Sequence, residues 1–320
     1  MTKTKKWLIA ATILSLVGAI MFVVTMAASG WDFSKLDSVK FEFNTHYITE
    51  DFTNIHIDTS TADVVLAQSD NNECKVVLRE AINERHTVKL EDGTLKISIK
   101  DNRKWYEHIT LFSFSMPKIT IYLPETAYGA FTVKQDTGDI KLPSTFTFDS
   151  VDLSGSTGDA QLRATVTGPV RIERSTGDIK VQSPKLGALA LITSTGDVDV
   201  TSTDCDGKIF VSVSTGEVEM EDVRCETLTS TGSTGEISLE NVDVSGQINI
   251  TRSTGDVEFE NSDAAEIYVI TDTGDVRGSL KTSKIFFTET DTGDVNVPRS
   301  TEGGICHIRT DTGDIKMAIK

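Results

Sequence analysis

A tetrapeptide, Ser/Asp-Thr-Gly-Asp/Glu, returns ten times in this chain at a nearly fixed interval, and few architectures tolerate that. Its glycines are Gly138, Gly158, Gly177, Gly196, Gly216, Gly235, Gly255, Gly274, Gly293 and Gly313, always 19 or 20 residues apart. So strict a period, free of insertions, marks a chain wound into stacked turns that bury their apolar faces only against one another. The residues between the glycines say what each turn is made of. Two residues after the glycine stand Ile140, Val198, Val218, Ile237 and their equivalents; four after it stand Leu142, Val200, Met220 and Leu239, with Gly278 the exception. Seven and five residues before it the same alternation recurs, as in Leu189/Leu191 and Ile248/Ile250. A spacing of two is the signature of a half-buried strand, and no repeat has room for a helix. The fold class is therefore all-β: a parallel β-solenoid of 19–20-residue coils, with equivalent side chains about 4.8 Å apart. The recurrent glycine suits a turn of positive φ. Ser60-Thr61-Ala62-Asp63 reads as an eroded earlier copy of the motif.

Ahead of the repeats, Trp7 to Ala28 is an apolar run of 22 residues without a charge. As a helix it would measure roughly 33 Å, enough to cross a hydrocarbon core of about 30 Å. Lys3, Lys5 and Lys6 precede it, so the positive-inside tendency places the N-terminus in the cytoplasm and the remainder outside. A cleaved signal peptide is the alternative, with Ala27-Ala28-Ser29 as a processing site, but signal cores usually run only about 7–15 residues. The chain thus divides into a cytoplasmic tail at 1–6, a transmembrane anchor at 7–28, an irregular β region at 29–127 and the ten-repeat solenoid at 128–320. Within the irregular region Asp92-Gly93 marks a hairpin turn. Residues 101–116, with Trp105, Tyr106, Phe112 and Phe114, read as a loop packed on the first coil.

Charge narrows the partners. Beyond residue 28 there are 48 acidic residues against 28 basic ones, a balance of −20, which argues against nucleic acid. Many of the acids form a ladder: Asp139, Asp159, Asp178, Asp197, Glu217, Glu236, Asp256, Asp275, Asp294 and Asp314. Carboxylates stacked at this spacing repel, and Ca²⁺ is the cation that would relieve them. The pattern lacks the Gly-Gly-x-Gly-x-Asp calcium repeat, so the leading expectation is that these side chains bond backbone amides, with no cofactor. Cys205 and Cys225 each follow their glycine by nine residues, on adjacent coils of an exported domain, and are a candidate disulfide pair. No Cys-x-x-Cys or Cys/His spacing points to zinc.

His46, His56, His86, His108 and His307 are scattered without an obvious nucleophile partner. The acids recur identically in every coil, whereas a catalytic pair should break the repeat. The expectation is a protein that is not an enzyme; a carbohydrate-active enzyme on a β-helix scaffold is the alternative, and a passive spacer the third reading. Tyr268, Phe287 and His307 occupy equivalent outward positions on consecutive repeats, with Ile270 beside Tyr268 and Phe210 three coils earlier. Such a column is a candidate binding face for sugar rings or a surface protein. The sequence stops just after the last motif, so an open C-terminal coil is a candidate site of homo-oligomerisation.

The ten motifs, each followed by an aliphatic residue, and the run Lys118-Ile119-Thr120-Ile121-Tyr122-Leu123-Pro124 leading to Phe131-Thr132-Val133 resemble a bacterial β-strand-repeat family, DUF4097. The likeness covers roughly residues 50 to 320. It implies an adhesin-type surface role, and anchored relatives encoded with envelope-stress regulators imply a place at the cell membrane. It brings no catalytic residues.

Overall fold

The computed structural model describes residues 3–28, 30–31, 40–82, 84–101 and 116–320. The four aromatic residues of the expected loop at 101–116 lie outside them. Among the described residues one helix, Lys3–Ala28, is followed by strands. Residues Lys5–Ala28 within it are long and apolar enough to cross a membrane, and Leu14, Ile20 and Val24 stand exposed along it.

Each repeat has a long strand before the motif and a short one after it. The pre-turn strand Ala127–Thr137 pairs in parallel with Thr147–Thr157, Phe131 opposite Val151. The post-turn strand Ile140–Leu142 likewise pairs with Ala160–Leu162. Val198, Val218 and Ile237 stack in one register and all are buried, so the aliphatic spine runs as the periodicity requires. Burying each such side chain stabilises by about 1.5–3 kcal/mol, a gain that exists only because the next coil covers it.

The motif glycine is fixed by two requirements at once. Gly216 has φ +146°, and a Cβ there would sit 2.1 Å from the carbonyl oxygen of Gly196 on the coil below. Its own N–H donates to Thr234 O of the next coil. With coils numbered one to ten by their motif glycines, residues 54–68 form a further coil beneath coil one: Thr61 pairs with Thr137 and Val64 with Ile140. The eroded Ser60–Asp63 motif is therefore a true coil.

The stack ends differently on its two sides. At the N-terminal end, strand Lys118–Leu123 pairs antiparallel with Cys74–Ala81, which pairs antiparallel with Phe41–Ile48. The hairpin Glu84–Glu91/Thr94–Asp101 turns at Asp92 and Gly93, both of positive φ, and lays its second strand on Asn54–Thr61. These antiparallel strands close the spine.

At the C-terminal end the spatial order departs from the order in the sequence. Coil ten does not lie on coil nine's far side: Ile267 of coil eight pairs with Cys306 of coil ten, and Cys306 pairs with Phe286 of coil nine. Val276, Ile315 and Val295 repeat that order. Coil ten is thus inserted between eight and nine, and the expected open C-terminal coil is corrected to an open coil nine. Composition supplies the reason. Coil ten turns Cys306, Ile308, Ile315 and Met317 inward, all buried, whereas coil nine offers Thr288 and leaves Val295 45 % exposed. The more apolar coil takes the position covered on both sides. Residues 281–283 climb two layers, pinned where Lys281 meets Asp243 and Lys284 meets Asp263, each at 2.5 Å.

Candidate functional site

The acidic ladder forms on one corner of the rod. Asp139 accepts the Asp159 N–H at 3.0 Å, Asp159 that of Asp178 at 2.9 Å, Asp178 that of Asp197 at 2.9 Å and Asp197 that of Glu217 at 2.8 Å. The series resumes from Asp256 to Asp275, from Asp275 to Asp314, and from Asp314 to Asp294, tracing the rearranged order. Each bond takes one carboxylate oxygen. Inward threonines three residues before the motif glycine serve a glycine carbonyl of the neighbouring coil: Thr310 donates to Gly274 O and Thr290 to Gly313 O, both at 3.0 Å. Seven of the ten ladder acids thus satisfy a backbone amide of the neighbouring coil.

Two positions in that inward column hold arginine. Arg174 lies over Gly155 and Arg252 over Gly232, each about 1 % exposed; a Cβ on either glycine would collide with the guanidinium. Burial brings both pKa values down to about 10, with Asp139 and Asp159 opposing the shift at Arg174. Arg252 reaches Val213 O at 3.1 Å. The sequence did not yield these pairs, although a glycine three residues before the motif glycine, followed one coil later by arginine, was a visible signal.

A second buried cluster was also missed. His86 Nδ1 lies 2.9 Å from Glu80 Oε2, which also accepts the His86 backbone N–H at 2.6 Å, and Nε2 faces the Thr59 hydroxyl at 2.8 Å. Asn44 donates to the other Glu80 oxygen at 2.7 Å. Although desolvation pulls the other way, these hydrogen bonds and His86 together hold the Glu80 carboxyl below its ordinary range. The connectivity is that of a proton relay, but Thr59, His86 and Glu80 are all buried. They plug the polar column where it meets the N-terminal hairpin.

Cys205 and Cys225 follow the Asp204–Arg224 register pair on adjacent strands, yet both are free thiols, and burial pushes Cys225 up to about 12. The two thiols are unbonded here, on strands about 4.8 Å apart, a spacing within the roughly 4.4–6.8 Å between Cα atoms that a disulfide spans.

The aromatic column is present, in changed order. Tyr268 lies 6.3 Å from His307, and His307 pairs in register with Phe287. Phe287 is 52 % exposed, with Ile270, Ile305 and Phe210 also open to solvent. The column caps a broader contrast between the rod's two outward faces. On coils four to seven, the twelve outward positions one, three and five residues after the motif glycine hold ten acids and no base. There Glu236 and Glu240 are raised by desolvation and by neighbouring carboxylates, with Arg277 opposing the shift at Glu236. On the same coils the sixteen outward positions of the pre-turn strands hold one charge, Lys208. The rest are mostly serine and threonine, with Ala188, Ala190, Ile192 and Phe210.

Residues 52–209 and 206–320 match the model of the family described as Toastrack DUF4097. No curated protein matches the chain. Among solved structures it is similar to a "putative adhesin" from Bacteroides fragilis, at 15 % identity over 88 % of this chain and 99 % of that one, TM-score 0.40. Two others bear the same description. The one from Parabacteroides distasonis and the one from Parabacteroides merdae are each 14 % identical over 88 % of this chain and 98 % of theirs, TM-score 0.43.

Proposed function

The chain belongs to the Toastrack DUF4097 family, and from that premise we propose that it is a non-catalytic, membrane-anchored surface protein, an adhesin-type scaffold that meets its partner through the pre-turn face. The N-terminal helix holds it in the cell membrane with Lys3, Lys5 and Lys6 on the cytoplasmic side, and the β-domain stands outside. Neither a metal nor a cofactor enters this reading: seven of the ladder acids each commit one carboxylate oxygen to a backbone amide, and the relay at Thr59 is buried.

One observation carries the proposal. A rod with a strongly negative balance keeps its pre-turn face almost free of charge on coils four to seven, and on the coils beyond them the same face exposes Phe287, Ile305 and Ile270 among Glu266, Asp272, Glu289, Asp291, Arg309 and Asp311. An apolar patch of this kind on a soluble surface marks contact with another molecule. A photo-crosslinking residue at Phe287, in the full chain on intact cells, should capture a discrete partner that the same residue at Glu219 does not. Identical capture from both positions, or none from Phe287, would overturn the reading.

A further inference from the structure

We propose that a pocket in the antiparallel N-terminal cap binds a quaternary ammonium group, the cation that choline carries both as a lipid headgroup and as a free solute. The site lies at the opposite end of the stack from Phe287 and does not depend on the pre-turn face.

Strand ends build it. Ile48 pairs with Cys74, and Lys75 with Tyr122, so three strands of the cap finish side by side. The chain leaves two of them through residues 49–52 and 124–127, and enters the third through 71–73. The Gly129 N–H donates to Thr53 O at 2.8 Å, which brings Phe52 beside Tyr128. Between these segments lies a pocket of about 570 Å³, within the roughly 300–1,000 Å³ of small-molecule sites.

Aromatic rings come first in its lining. Tyr128 is only 6 % exposed; its hydroxyl donates to Pro124 O at 2.9 Å, and its ring centre lies 5.9 Å from that of the buried Phe148. Phe52 stacks on it at 6.1 Å, so both rings are fixed before any ligand arrives. Tyr47 adds a third ring and is exposed.

Charge selects the occupant. Glu50, Asp51 and Glu73 also line the pocket, and among the described residues no lysine, arginine or histidine does. Asn71 donates to Glu73 Oε2 at 2.8 Å, which holds that carboxylate in place. Such a lining repels anions and attracts cations. A primary ammonium is compact and strongly hydrated, and it gains little from carboxylates that stand in water. A quaternary ammonium is covered in methyl groups, so it can lie against rings, whose negative faces attract it. The same cap already sets one cation over a ring: Lys75 Nζ lies 4.3 Å from the Tyr122 centroid.

The test uses the full-length chain in maltoside micelles, with choline and its neutral carbon isostere, dimethylbutanol, as probes in ligand-observed NMR. Choline should bind saturably and about tenfold more tightly than the alcohol. Tyr47→Ala removes an exposed ring without touching the core and should weaken choline about tenfold, whereas Glu219→Gln on the post-turn face should change nothing. Equal binding of choline and the alcohol would reveal an apolar hollow only and would overturn the proposal. Absence of saturation would overturn it too, as would a Tyr47→Ala chain that binds choline like the parent. Nanodiscs separate the two sources once choline binds. If a headgroup fills the pocket, phosphatidylcholine should weaken the binding of free choline relative to phosphatidylethanolamine; if the ligand is a free solute, the two lipids should give the same affinity. Failure of the choline test would leave the pre-turn face untouched, because capture at Phe287 reports on that face separately.

Discussion

The middle of the rod and its ends are built from the same repeat but obey different constraints. In the middle, every coil is covered above and below, and each motif glycine lies within touching distance of the next. At the ends something must stop the stack. The N-terminal end does so with antiparallel strands and a buried polar cluster; the C-terminal end places its most polar coil outermost, out of sequence order. The difference teaches that periodicity dictates the form of a coil, while the apolar content of each coil dictates where it lies.

The largest effect should come from glycine. Gly216→Ala forces a side chain into φ +146° and against Gly196 O, so it should cost about 3 kcal/mol or more, read as a lower urea midpoint. Gly293→Ala makes the same collision with Gly313 O, but among the described residues no strand pairs on the far side of coil nine to stop it lifting away. Its cost should be less than half as large, and equal costs would erase the distinction between covered and terminal coils.

Much of this was legible in the residues. The glycines and the aliphatic pairs, such as Ile248 and Ile250, prescribed parallel coils because only in-register stacking buries them. Asp92-Gly93 announced its hairpin. The order of the last coils was harder to see, since spacing is blind to it; the signal lay in Thr288 standing where coil ten has Ile308. Arg174 and His86 were missed because their partners are brought in from other coils or from the N-terminal cap. Phe210 and Tyr268 were identified as a column, whereas the uncharged surface around them emerges only when outward positions are counted face by face.

A smaller effect sharpens the C-terminal contrast. Ile308→Ala removes buried methyl groups from a coil covered on both sides and should cost about 2–4 kcal/mol. Val295→Ala, on the outermost coil, should cost less than about 1 kcal/mol. The reverse ranking in chemical denaturation would restore the sequential order.

The smallest effect concerns the opposite end. The Glu80 carboxyl titrates below its ordinary range in the folded protein, so its contribution is present above the unfolded carboxylate range and fades as pH falls through the lowered value. Glu80→Gln should therefore destabilise the protein at pH 7, with the gap to the parent narrowing in acid. A gap independent of pH down to pH 3 would show that Glu80 is not held by charge and hydrogen bonds.

Methyl–methyl NOEs in the full-length protein in micelles address the rearranged stack directly. The account predicts cross-peaks from Val276 to Ile315 and from Ile315 to Val295, and none from Val276 to Val295. A direct Val276–Val295 cross-peak, with Ile315 in contact with Val295 alone, would contradict it.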